Sequence, residues 1–258
     1  VNRLAESSSD YLRQHAHQLI DWWEWSDEAL ASAREQDRPI LLSVGYASCH
    51  WCHVMSGESF DDPEVATFIN EHFVPIKVDR QQHPDVDAVF MLATQAMNNG
   101  AGGWPMTAFL TPEGKPFFTG TYFPPEPGPG QPSFQQVLNA MADAWHSRRD
   151  KVRGSADYLV SVLTSREEAA AEKAPDLREA IDQVEAGFDV IHGGFGTQPK
   201  FPNPTLLDAL LVKGDPRSLE MAQRTLEQMA RGGIHDQVGG GFHRYSVDPG
   251  WVVPHFEK

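Results

Sequence analysis

The sequence predicts an α/β domain followed by an all-helical segment. Three observations carry that expectation. Short apolar runs at 40–44, 73–79, 106–110 and 116–122 alternate with helix-period stretches up to about residue 150. The last two runs are joined by Thr111-Pro112-Glu113-Gly114-Lys115, a hairpin signal, whereas the earlier ones are separated by helices. Beyond about residue 150 the strand signals stop, and amphipathic stretches alternate with glycine-rich loops. The chain of 258 residues therefore divides into 1–150, with an N-terminal aromatic extension, and a helical segment over 151–258.

Residues 4–25 are aromatic and polar without a clear period. The indoles of Asp21-Trp22-Trp23-Glu24-Trp25 are expected to bury against the domain that follows. Ser26 reads as an N-cap, with Asp27 and Glu28 suited to a helix first turn, and that helix runs to about Gln36. Pro39 opens the strand Ile40–Val44, which leads into Cys49 and Cys52. Asp62 as N-cap and Pro63 at the first helical position start another helix, with Val65, Phe68, Ile69 and His72 at helical spacing. Phe73–Asp79 is a second strand. Residues 84–98 form a helix with Val86, Val89, Phe90, Ala93 and Met97 on one face, broken by Gly100 to Gly103. Strands Met106–Leu110 and Pro116–Tyr122 follow, then a Pro/Gly loop from Pro124 to Pro132, then a helix from Ser133. Helices are expected over 151–171, 176–191, 205–213 and 216–231, with loops at Gly193–Gly196 and Gly239–Gly241. The chain stops at Lys258 inside a polar, aromatic loop, as expected of part of something longer.

Composition excludes several function classes. A net charge of -15 argues against nucleic acid and against anionic membrane surfaces. No run is long and apolar enough to span a bilayer, and Val1–Ser7 lacks the apolar region of a signal peptide, which predicts a cytoplasmic protein. Two cysteines are too few for a disulfide scaffold.

Those two cysteines are spaced C-x-x-C, directly after a strand and at a helix start. That is the arrangement of a redox site. A thiolate there is stabilised by unpaired backbone N–H groups and the helix dipole. Cys49 is expected to be exposed and to attack; Cys52, one turn further in, resolves the mixed disulfide. His50, when cationic, supports the thiolate, and Trp51 completes the intervening pair. Three other readings stay open: a pair of inert buried thiols, a zinc site drawing on Cys49, Cys52, His50 and His53, and the c-type haem pattern that Cys49-His50-Trp51-Cys52-His53 matches literally. The favoured reading needs no metal and no cofactor. In Gly102-Gly103-Trp104-Pro105-Met106-Thr107, a proline just before a strand fits a cis-proline opposite the cysteines, where the neighbouring backbone pairs with an extended substrate. The plainer reading is a trans proline that opens a strand.

Longer motifs make a resemblance specific. Cys49-His50-Trp51-Cys52-His53-Val54-Met55 with Glu58-Ser59-Phe60, the Gly-Gly-Trp-Pro-Met-Thr run, Gly120-Thr121-Tyr122-Phe123-Pro124, Gly193–Gly196 with Pro199–Pro202, and Gly232–Asp248 with Trp251 and Pro254–Lys258 resemble the thioredoxin-domain family of spermatogenesis-associated proteins and their bacterial relatives. The resemblance implies a thioredoxin-like fold followed by the opening of an (α/α) toroid like that of N-acylglucosamine 2-epimerases. Two departures stand out. Ser56-Gly57 replace the family's usual Glu-His, and Ser43 stands where thioredoxins carry a buried carboxylate that takes the resolving thiol's proton.

His235, Asp236, His243, Arg244, Tyr245, His255 and Glu257 cluster among glycines near the end. In a toroid such loops line the cleft; as isolated loops they pin themselves by hydrogen bonds, which is the preferred reading. The expected function is thiol–disulfide exchange through Cys49 and Cys52, with Trp104 and Pro105 shaping the groove. The partner would be a thiol or disulfide protein or a small molecule. The alternatives are a thioredoxin-fold binding module without redox turnover, or part of a larger carbohydrate-active toroid enzyme.

Overall fold

A computed structural model describes residues 1–169 and 177–255. The chain forms two compact units, Val1–Ala171 and Glu172–Lys258.

The first unit holds five strands: β1 (Trp23–Glu24), β2 (Ile40–Gly45), β3 (Val74–Asp79), β4 (Met106–Leu110) and β5 (Pro116–Gly120). Their order across the sheet is β1-β3-β2-β4-β5. β2 pairs parallel with β3 and antiparallel with β4, and β5 closes the hairpin with β4. Helices α1 (Asp10–Arg13), α2 (Asp27–Gln36), α3 (His50–Met55), α4 (Pro63–His72), α5 (Pro84–Met97), α6 (Phe134–Ser147) and α7 (Arg149–Ala169) complete the unit. A π-helical turn, Ser56–Phe60, continues α3. This is the thioredoxin-like α/β arrangement.

The N-caps are chemical, not incidental. Ser26 accepts from the Ala29 N–H, Asp62 from Glu64 and Val65, and Ser133 forms a capping box with Gln136. α7 belongs to the first unit, which therefore extends past residue 150; Ala156 and Val152 of α7 lie in the same core as Phe117 and Trp145.

Strand alternation sorts the core. Ile40, Leu42 and Val44 of β2 and Val74, Ile76 and Val78 of β3 face one side, with Ala29, Ala33, Val86 and Phe90. Leu41 faces the other, with Trp22, Phe60, Phe73, Phe109 and both cysteines. Ser43, Lys77 and Asp79 lie on that second face by the same period, and Ser43 pairs in register with Lys77. The cysteine face of the sheet is thus where polar groups enter an aromatic core.

Among the described residues of the second unit, α8 (Leu177–Ala186), α9 (Pro204–Lys213) and α10 (Pro216–Arg231) are the helices. α8 stops at Ala186, short of the expected 191, because Gly187 leaves the helix and Phe188 bridges to Phe195 instead. Leu207, Leu210, Met221, Ala222, Met229, Ile234 and Trp251 form this unit's core. No described helix is long and apolar enough to cross a membrane.

Candidate active site

β2 ends at Gly45, and a turn closed by the Cys49 N–H to the Tyr46 carbonyl (3.1 Å) delivers Cys49 to the N-cap of α3. There the Cys52 N–H donates to the Cys49 sulfur at 3.3 Å. The two cysteines are disulfide-bonded, with Cα atoms 5.2 Å apart. One turn of helix is the spacing that lets this happen without backbone distortion.

The expected exposure of Cys49 is corrected by the structure. Cys49 is 2% exposed and Cys52 1%. The physical reason is the company they keep: both sit in the aromatic core, with Tyr46 in the same cluster and Trp104 and Tyr122 packed against it. What reaches solvent is the pair between them, His50 and Trp51, the latter at 44%. Its ring lies 4.9 Å from that of Tyr122 and 5.7 Å from that of His50. Tyr122 donates to Glu58 at 2.5 Å; burial and then this carboxylate push its hydroxyl up to about 12. His53 is turned to the Ala47 carbonyl at 2.8 Å, so its ring fastens the turn. Among the described residues no three His, Cys, Asp or Glu side chains converge as a metal set.

The Trp104–Pro105 peptide bond is cis. The register Val44↔Met106 brings Pro105 to the end of β2 from which the cysteines follow. Among the contacts that hold Trp104, its Nε1 donates to Asp87 at 2.7 Å, the Arg80 guanidinium lies 3.9 Å over its ring, and Tyr46 meets it edge-on at 5.9 Å.

Behind the disulfide lies a buried polar set that sequence reasoning missed, Ser43 excepted. Lys77 donates to the Ser43 hydroxyl at 3.1 Å and sits 4.4 Å from the Phe60 ring, 5.1 Å from Trp22 and 5.5 Å from Tyr11. Burial brings its amine down to about 7. Burial, then the positive charge of Lys77, lowers the His15 imidazole to about 2. The N-terminal stretch supplies Tyr11, His15 and Trp22, and no local pattern in the sequence singles out Lys77.

In the second unit the loop residues singled out by the sequence pack as follows. Tyr245 and His255 stack at 4.5 Å, while His235 stacks on Phe242 at 4.9 Å. Asp236 accepts from the Val238 and Gly239 N–H groups within its own loop. The backbone N–H of His243 donates to the Ile234 carbonyl, and Arg244 lies in the same loop. Glu257 lies outside the described residues. A different polar centre organises this unit. Lys200, fully buried, donates to Asp189 (2.6 Å) and to the Gly193 and Pro249 carbonyls (2.9 Å each), 5.4 Å from the Trp251 ring. Burial alone would raise the Asp189 carboxyl, but hydrogen bonds from Lys200, the His192 and Ile191 N–H groups and the His192 ring hold it below the carboxylate range.

Comparison with known proteins adds the following. The family model Thioredox_DsbH, described as a protein of unknown function, DUF255, matches residues 1–164. Spermatogenesis-associated protein 20 of Rattus norvegicus is 42% identical over 273 residues, covering 100% of this chain and 34% of its own length. The Homo sapiens protein of the same name is 43% identical over 272 residues, again 100% and 34%. The chain thus spans about a third of the length of the curated relatives it matches. A solved structure of a DsbH oxidoreductase aligns with a TM-score of 0.36 at 20% identity, over 48% of this chain and 85% of that one.

Proposed function

Since the chain belongs to the Thioredox_DsbH family, DUF255, we propose that its first unit carries out thiol–disulfide exchange through Cys49 and Cys52. The observation that carries this reading is the disulfide itself, between the chain's two cysteines, at a helix N-cap on the end of the central strand. In the exchange, an incoming thiolate attacks the Cys49 sulfur and Cys52 leaves with the electron pair; in the reverse direction Cys52 resolves the mixed disulfide. The Cys52 N–H that points at the Cys49 sulfur favours negative charge there when the bond is open. His50 and Trp51 flank the sulfur, and Trp104 with Pro105 form the opposing wall. The substrate is a protein or small-molecule thiol or disulfide.

The burial of both sulfurs favours a second reading, a thioredoxin-fold binding module whose disulfide does not turn over. Insulin reduction driven by dithiothreitol separates the two. Exchange predicts that Cys49→Ser abolishes the catalysed rate; equal rates for variant and wild type leave the binding module. For the second unit the α9–α10 hairpin supports the opening of a larger α/α array, in which carbohydrate chemistry would belong to the longer protein.

A further inference from the structure

The Tyr11 hydroxyl is buried and has no hydrogen-bond partner among the described residues. A buried O–H left unpaired calls for an explanation, because its desolvation is not repaid. Its position supplies one. A Cβ on Gly45 would overlap the Tyr11 hydroxyl and lie 2.7 Å from the Cys52 sulfur. Hydroxyl and sulfur are therefore neighbours across the space that a glycine leaves open.

That placement is built from elsewhere in the chain. Ser9 caps α1 by accepting from the Leu12 N–H at 3.1 Å, and the same hydroxyl donates to Asp79, the last residue of β3, at 2.6 Å. This ties α1, and Tyr11 on it, to the cysteine face of the sheet. His15 meets the Tyr11 ring edge-on at 5.0 Å, and the Lys77 amine lies 5.5 Å from the ring. Burial, then the Asp79 carboxylate, raises the phenol, so it stays a donor.

We propose that Tyr11 is a positioning residue for Cys52: its hydroxyl, idle beside the disulfide, donates a hydrogen bond to the Cys52 sulfur once the disulfide opens. The inference rests on the exchange reading above and deepens it. With glutathione as reductant the step balances. One glutathione thiolate attacks the Cys49 sulfur, the S–S bond breaks, and Cys52 departs as a thiolate carrying the electron pair. A second glutathione thiolate attacks the glutathione sulfur of the mixed disulfide, releasing the Cys49 thiolate and oxidised glutathione. The two electrons gained by the cysteines are those lost by the two glutathiones. Tyr11 acts on the Cys52 thiolate and on its protonated form, and on neither sulfur of the mixed disulfide. It therefore favours the reduced state.

The test is the glutathione equilibrium of the 258-residue chain, wild type against Tyr11→Phe, which keeps the ring and removes the donor. A hydrogen bond to a charged sulfur predicts that the variant is about tenfold harder to reduce, about 30 mV lower in potential. In wild type labelled with 13C at tyrosine Cζ, the Tyr11 resonance should move on reduction. An unchanged equilibrium overturns the proposal. So does a resonance that stays in place, and that reading decides the matter should Tyr11→Phe fail to fold. Failure of the exchange reading looks different: Cys49→Ser and wild type then reduce insulin equally, while the equilibrium and the resonance are still read on the disulfide.

Discussion

Lys77 is the residue on which the interior of the first unit turns. Register with Ser43 and the two-residue strand period bring its amine to the aromatic side of the sheet, where a serine hydroxyl meets it and three rings surround it. The sequence had marked Ser43 as departing from a carboxylate position but gave no reason to single out Lys77. Its burial is a consequence of strand pairing, which no local pattern displays. The amine's ordinary value of 10.5 falls to about 7 through burial. Between those values the unfolded chain holds a proton that the folded chain has shed. Stability therefore rises with pH across the window, by up to about 1.4 kcal/mol per pH unit, and is lost as pH falls towards the lower value. Urea midpoints should climb from about pH 7 to about pH 10 in wild type and lose this climb in Lys77→Met, a comparison that isolates the lysine. Tyr11 escaped notice for the same kind of reason as Lys77: its role depends on a glycine and a cysteine distant in sequence.

At the scale of elements, the caps were the most readable features. Ser26 and Asp62 stand as N-caps where their side chains and the following acidic or proline residues indicated, because capping is a contact within four residues. The capping box of Ser133 and Gln136 makes a direct prediction. Ser133→Ala should lower the stability of the first unit by about 1 kcal/mol in chemical denaturation, without altering the glutathione equilibrium. β1 was not readable. Two residues have no period, and Trp23–Glu24 become a strand only because β3 offers them an edge. The indoles beside it behave unequally: Trp22 is fully buried, while Trp23 and Trp25 are half-buried. In the second unit the glycine-rich loop is set by close approach. Gly194 has φ of 80°, and a Cβ there would collide with the Trp251 ring. Gly194→Ala should thus destabilise that unit by more than about 1 kcal/mol, read as an earlier melting transition.

The whole molecule consists of two units with separate cores, one built on a sheet and one on helices. The α/β class and the change of character along the chain were legible because apolar periodicity is a property of long stretches. The location of the division was less so, since α7 reads as one more amphipathic helix and only packing assigns it to the sheet domain. Trp251→Ala removes the largest side chain of the helical core, at a cost of about 3–5 kcal/mol. It should melt the second unit and leave the Cys49–Cys52 equilibrium with glutathione as in wild type. A shift in that equilibrium would show the two units to be coupled.

The tether between Ser9 and Asp79 has one more consequence. An excised domain that began at the first long helix would retain the five-stranded frame's four longer members and both sulfurs. It would nonetheless lose the floor beneath the inner sulfur, together with the wall that keeps water from the buried amine. For anyone trimming this protein to its smallest working part, the amino-terminal tail is the portion to keep.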